Sequence, residues 1–513
     1  MDHCAAVLLL FPESFSNDLP DPEYHKAARQ HVQKVENLSK DGLLAKFAPQ
    51  LLPQIDPAVN SISFLALLLE SLSDRSTKKI DAILPHLVRF LMTFDARQIR
   101  YAGTQMSNLL SAFADFERAP MINDVWEHTI NPSMAGSLTL WQASLVVDLL
   151  ATALLRIDPT GSVLTAHHLT LVRLAYTSNN IEPALPVLEK TIVFYPGAKP
   201  TLAPKFLCDM AVHPTAYITP ETGLGSKVTP STVLKYDALR ALCFIQRRSW
   251  QQAFDSLQRV ITHPAGPGVC SNIMADSFQK WQLVGLLLNG KAPSLPPSVS
   301  VSAQNIYLTT GKAYIAISQA FESNTATALI QEYGRYTQDE WVADGNLGLI
   351  KTVLSHYQRW KIADLRHIYT KISLEQIRAL TQSAETGASL GSEQQVLDLV
   401  QDMIATGMLK GEVIPAVADG SKPAHLVFHS LTEELSSAAF SAEMADTAQR
   451  IAALAPLVET LSERLETSRE YVRHMARDAA RFKDKSAGLG SGSHPFEAQV
   501  DDEDLMIGLS TTR

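Results

Sequence analysis

The sequence predicts a mostly α chain: an α-solenoid of tetratricopeptide-like helical repeats, then a winged helix and a C-terminal bundle helix. Three observations predict it. Apolar residues recur at three- and four-residue spacing in segment after segment, and few stretches alternate with period two. Between 360 and 430 the pattern changes to three short helices and a two-stranded ribbon. From Ile451 to Met475 it changes again, to a heptad stripe. Helix pairs that cannot bury their apolar faces alone are stable only when neighbours stack on them, which is the logic of a solenoid.

In chain order, residues 1–22 are punctuated by Pro and Asp and read as a loose N-terminus. Residues 23–232 form the helical-repeat arm, with helices expected over 61–73, 79–94, 99–116, 138–155, 165–176 and 181–194. A break rich in Pro, Thr and Gly covers 199–232. Repeats resume over 233–357 with a tetratricopeptide-like pair. Its first helix carries Tyr236, Leu239, Ala241 and Cys243, its second Trp250, Ala253, Leu257 and Val260. Helices over 272–288, 303–321, 325–333 and 346–357 follow, with a Pro-rich linker at 292–298.

The winged helix spans 358–431. Its first helix presents Ile362, Leu365, Ile368 and Tyr369 on one stripe. Ser373 and Gln376 form a capping-box pattern that opens the second helix, whose Leu374, Ile377 and Leu380 face inward. Ser392 and Gln395 repeat the box. The third helix buries Val396, Val400, Met403 and Ile404, and stops at Gly407, free to take a left-handed conformation. Val413 and Ile414 precede Asp419-Gly420, a hairpin-turn dipeptide, and residues 425–429 read as a half-buried strand.

The C-terminal helix covers 432–484, and residues 233–431 together make the module that precedes it. Ile451, Leu454, Val458, Leu461, Leu465, Val472 and Met475 fall on its a and d positions, with Ser468 the polar interruption. Such a stripe favours a partner helix. Residues 485–513 are Gly/Ser-rich and then acidic at Asp501, Asp502, Glu503 and Asp504, the composition of a disordered tail.

Composition narrows the function. The 513 residues carry a net charge of −9, which argues against nucleic-acid and anionic-membrane partners. Glu393, Asp398 and Asp402 make the third winged-helix segment acidic, with no Lys or Arg from 393 to 406. A duplex, with about one negative charge per 1.7 Å, would repel it. A protein-packing winged helix is the favoured reading, and a nucleic-acid-binding one the alternative from another class. Four cysteines in so long a chain suit a reducing compartment. Asp2 stands where a signal peptide carries positive charge, and no apolar run approaches the about 20 residues of a membrane span. The expectation is a soluble, intracellular chain.

Catalytic signals are weak. Gly285 to Lys291 has P-loop spacing but lacks the Ser/Thr that holds Mg²⁺, and its leucine interior suits a helix capped by Gly290. Gly488, Gly490 and Gly492 lie in the tail and read as linker. His167 and His168 point to different faces, while His425 and His429 share a strand face about 13 Å apart. Cys208 near His213 is sequence proximity only. No catalytic, cofactor or metal site is expected.

Several segments carry a family likeness: 98–102, 182–188, 250–262 and 283–291, then Asp344 to Lys351. Lys371 to Ile377, Val400 to Gly407 and Val427 to His429 continue it into the winged helix. In order and spacing they resemble the PCI-module family, shared by the proteasome lid, the COP-9 signalosome and translation initiation factor three. Within it they resemble the signalosome's subunit 3 family. The resemblance implies a non-catalytic scaffold, cytoplasmic and nuclear, in a complex that removes Nedd8 from cullins and so regulates cullin–RING ubiquitin ligases. Catalysis there belongs to a zinc metalloprotease subunit. It implies subunits 1 and 8 as neighbours. Wing contacts would run through Val413, Ile414, Val427 and Phe428, and bundle contacts through the stripe from Ile451 to Met475. A proteasome-lid or initiation-factor scaffold is the alternative within the same class.

Overall fold

Helix follows helix through most of the chain because apolar residues at helical spacing are separated by short breaks at Pro, Gly and capping residues. The computed structural model describes residues 2–13, 20–73, 77–115, 138–196, 204–226, 228–264, 270–323, 325–415, 423–429, 437–469, 471–473 and 475–477. Residues 1–434 form one compact unit and 435–513 a second.

The first unit opens with α1 (Asp2–Glu13), α2 (Asp21–Lys40), α3 (Leu43–Leu51) and α4 (Ser61–Ser73). Next come α5 (Thr77–Thr93), α6 (Ala96–Ile99), α7 (Gly103–Asp115), α8 (Leu138–Ile157) and α9 (Ala166–Thr177). The short α10 (Leu185–Leu188) and α11 (Pro214–Tyr217) lead to α12 (Pro230–Gln246), α13 (Trp250–Ile261) and α14 (Asn272–Asn289). α15 (Val301–Thr310), α16 (Lys312–Glu322), α17 (Ala326–Gly334), α18 (Gln338–Ala343) and α19 (Leu347–Asp364) complete the repeats. The tetratricopeptide-like pair is α12 and α13, with Tyr236, Cys243, Ala253 and Leu257 all buried.

Three expectations fail here. The start of the chain is not loose: Asp2–Glu13 is helical and buries Cys4, Leu8 and Phe11. Its carbonyls are held by side chains at the start of α4. The Ser63 hydroxyl donates to Leu8 O at 2.8 Å, and Asn60 Nδ2 donates to Phe11 O. The expected helix over 181–194 is only a 3-10 turn and the single turn α10. Pro183 and Pro186 remove two backbone donors, and the chain then runs extended, with Ile192 and Phe194 buried on alternate positions. Phe194 bridges Val163 in parallel. The expected 99–116 helix is broken at 100–102, between α6 and α7.

A further difference is at the module boundary. Residues 347–364 form one continuous helix, so the repeats and the winged helix share α19 instead of meeting at 357/358. Trp360 lies at the junction and packs on both hydrophobic clusters, the repeat core around Trp341 and the winged-helix core around Val396. Its indole donates to Leu287 O at 3.3 Å. The same ring covers Gly290, which closes α14 at φ +68°; a Cβ there would meet Trp360 at 2.5 Å. Gly290 is therefore a helix cap under an aromatic lid, and the P-loop spacing is a helix and its end.

Candidate interaction surfaces

The winged helix is built from the end of α19, then β1 (Lys371–Ser373), α20 (Leu374–Leu380), α21 (Glu393–Ala405), β2 (Gly411–Ile414) and β3 (His425–Phe428). The sheet has three strands in the order β1-β3-β2, one more than the expected ribbon. A three-residue strand such as β1 shows no measurable period in sequence. Both predicted caps form. The Ser373 hydroxyl accepts from Gln376 N, and the Gln376 side chain accepts from Ser373 N, a complete box. Ser392 accepts from Gln395 N, but the Gln395 side chain accepts from Gly391 N instead. Gly407 follows α21 at φ +73°, as its position after the helix requires. Val396, Val400 and Met403 are buried, whereas Ile368 and Leu380, expected on inward faces, are exposed. Ile368 follows the 3-10 turn Leu365–His367, which rotates it off the α-helical stripe. The Asp419-Gly420 turn lies outside the described residues.

Strand pleating divides the four predicted wing residues into two pairs. Ile372, Leu426 and Val413 stand opposite one another across the sheet, and Leu426 is fully buried. Val413 and Phe428 pack on the winged-helix core. Ile414 and Val427 belong to the other face, where Val427 stands between Lys371 and Glu412. β3 is paired on both sides, so only β1 and β2 present an outer edge, and Ile414 on β2 is 37% exposed. Ile414 and Val427 are thus available to a neighbour, while Val413 and Phe428 serve the core.

The third winged-helix segment, α21, is acidic where it meets solvent. Glu393, Asp398 and Asp402 are all exposed. Asp402 pairs with Arg359 at 2.6 Å, and Gln394 donates to Asp398 at 2.9 Å. These contacts engage Asp398 and Asp402 within the domain, and the helix itself carries no basic side chain.

In the second unit, α22 (Ser437–Thr467) is about 46 Å long at 1.5 Å per residue. Ile451, Leu454, Val458, Leu461 and Leu465 share one side of it by heptad spacing, and each is between 39% and 63% exposed. Pro456 lies in the helix interior. The helix stops before Ser468, whose hydroxyl accepts from Tyr471 N and starts a new turn. Val472 and Met475, also exposed, follow that break, so the stripe is carried by two helical pieces and not one. Phe440 and Met444, outside the predicted stripe, are exposed as well. Both fall in the same heptad register, with Thr447 masking the continuity.

The residues examined for chemistry serve structure. His167 Nε2 meets Ser107 Oγ at 3.0 Å, and His168 Nδ1 accepts from the Thr165 backbone as part of a capping box. Burial pushes these imidazoles down, to about 4 for His167 and about 3 for His168. Cys208 donates to Asp21 O at 3.3 Å, while His213 Nδ1 accepts from Thr215 N at its own helix start. The two are not a nucleophile and its base. Among the described residues no cluster of three or more His, Cys, Asp or Glu side chains is placed to hold a metal, and no helix is long and apolar enough to cross a membrane.

A family model described as COP9 signalosome complex subunit 3, N-terminal helical repeats, matches residues 22–302. COP9 signalosome complex subunit 3 of Neurospora crassa is 41% identical over 522 residues, 99% of this chain and 99% of that protein. The subunit 3 of Emericella nidulans is 28% identical over 360 residues, 68% of each chain. The match spans the repeats, the winged helix and the C-terminal helix alike, and this chain therefore belongs to the COP9 signalosome subunit 3 family.

Proposed function

We propose that the chain acts as a non-catalytic scaffold of the signalosome. It supports removal of Nedd8 from cullins, and through that the regulation of cullin–RING ubiquitin ligases, in both cytoplasm and nucleus. One observation carries the proposal: the exposed apolar stripe of α22, continued by Val472 and Met475. Fully burying a Leu, Ile, Val or Met side chain is worth about 1.5–3 kcal/mol, so a row of five held in water is a surface built for other helices. The outer edge of β2, with Ile414 and the Val427 side chain on the same face, offers a second contact through strand addition. Subunits 1 and 8 are the neighbours the family pattern suggests. The acidic face of α21 supports a protein-facing winged helix over a nucleic-acid reader.

The test is the double variant Leu461→Asp with Leu465→Asp in the intact assembly, read by native mass spectrometry. The expected result is a folded chain, by circular dichroism, absent from the complex. Normal incorporation of the variant would refute the bundle role.

A further inference from the structure

Two cavities of about 420 and 580 Å³ lie along one face of the repeats. The first is lined by Leu169 and Arg173 of α9, Lys235 and Leu239 of α12, and Ile273 of α14. The second is lined further along the same helices, by Tyr176, Leu242, Ile245 and Lys280, and on its far side by the start of α19 around Leu349. The spacings 169/173/176, 235/239/242 and 273/280 each keep to one helix face, so the two cavities follow one another along these helices as a groove. The early residues of all three helices share one end and the late residues the other. α9, α12 and α14 therefore run side by side in the same direction, as the first helices of successive repeats do along the inner wall of a solenoid.

The charge of this groove is unlike that of the chain. Overall the chain has 44 basic and 53 acidic residues, yet Arg173, Lys235 and Lys280 are the charged side chains that line it, and no carboxylate does. Lys280 has Asp276 and Asp344 near it, and burial pulls its pKa down. Arg173 and Lys235 are exposed, and among the described residues neither head group makes an ion pair or hydrogen bond. Between them the floor is apolar and half-buried, formed by Leu169, Ala238, Leu239 and Ile273.

We propose that this groove binds an extended segment of a partner protein in which apolar side chains alternate with acidic ones. From Lys235 to Gln246 is about 17 Å along the helix, the length of about five extended residues. Apolar side chains of the segment enter the seam between α9 and α12, and its carboxylates meet Arg173 and Lys235. The inference stands on the isolated chain and is independent of the bundle role of α22.

Anisotropy of a fluorescein-labelled heptapeptide, Glu-Leu-Glu-Leu-Glu-Leu-Glu, titrated with the full-length chain tests it. Saturable binding is expected, at least tenfold weaker when Lys replaces Glu or Ser replaces Leu. The double variant Arg173→Glu with Lys235→Glu should lose the acidic peptide by a further tenfold and gain the Lys-substituted one. Both positions are exposed, and an unchanged helical spectrum accompanies the measurement. Absent binding, equal binding by wild type and variant, or preference of the wild type for the Lys peptide would each overturn the proposal.

Discussion

His31 shows how a single buried group ties this fold to pH. The Ser63 hydroxyl donates to Leu8 O, so it accepts from His31 Nε2, at 2.8 Å. That assignment puts the imidazole proton on Nε2 and leaves Nδ1 buried without a partner among the described residues. A second proton would enter an apolar space with no acceptor, and burial pushes the His31 pKa down to about 4. Burial likewise lowers His167 to about 4, and burial together with the adjacent His167 lowers His168 to about 3. In each case the unfolded chain takes up a proton near pH 6.5 and the folded chain does not, so stability falls as pH drops from 6.5 through about 4. Asp237 works the other way. Burial raises its carboxyl to about 6, and it regains stability between pH 6 and 4. Three imidazoles against one carboxyl leave a net loss. The thermal midpoint should therefore decline from pH 7 to pH 4, and His31→Gln, which keeps a donor to Ser63, should flatten that decline. An unaltered slope in the variant would show that His31 stays paired when protonated.

At the scale of elements, two arginines organise the long irregular segment after α10. Arg100 donates to Leu207 O at 3.0 Å and Asp209 O at 2.7 Å, and its guanidinium lies 3.7 Å from the Tyr217 ring centre. Arg97 donates to Cys208 O at 3.1 Å and pairs with Asp21 at 2.9 Å, over the Tyr24 ring. The segment thus takes its anchor from α6 and the break that follows it. Arg100→Ala leaves two carbonyls without their cation, a loss of about 3 kcal/mol. Proteolysis within 204–226 should accelerate by roughly a hundredfold, with the rest of the unit intact. Unchanged cleavage would mean that Arg97 and the Tyr217 hydroxyl, which donates to Ile157 O at 2.9 Å, suffice to hold the segment. The wing makes a paired test of pleating. Val413→Asp places a charge in the winged-helix core and should lower the melting midpoint, whereas Ile414→Asp should spare the fold and weaken only the contact with a neighbouring subunit. Equal thermal losses in both would contradict the alternation of faces.

For the whole molecule, the proposed contacts use surfaces the fold leaves uncovered: the α22 stripe, the β2 edge and the basic groove. The double Leu461→Asp, Leu465→Asp variant and the charge-swapped groove variant probe different ones. The first should abolish incorporation into the complex and leave peptide binding unaltered; the second should do the reverse. A chain that lost both properties together in either variant would point to one surface and not two.

The helical spacing, the caps at Ser373 and Ser392, the stops at Gly290 and Gly407 and the heptad at Ile451 to Leu465 were legible because each depends on residues within a few positions of one another. Side-chain periodicity is local physics, and local physics survives in a string of letters. The folded N-terminus, the shared helix under Trp360, the third strand, the inward turn of Val413 and Phe428, and the groove were not legible. Each depends on contacts between residues far apart in sequence: Leu8 with Ser63, Gly290 with Trp360, Ile372 with Leu426, and α9 packed on α12. Which face of an amphipathic element becomes core and which stays in water is settled by what packs against it, and that is known only once the chain has closed on itself.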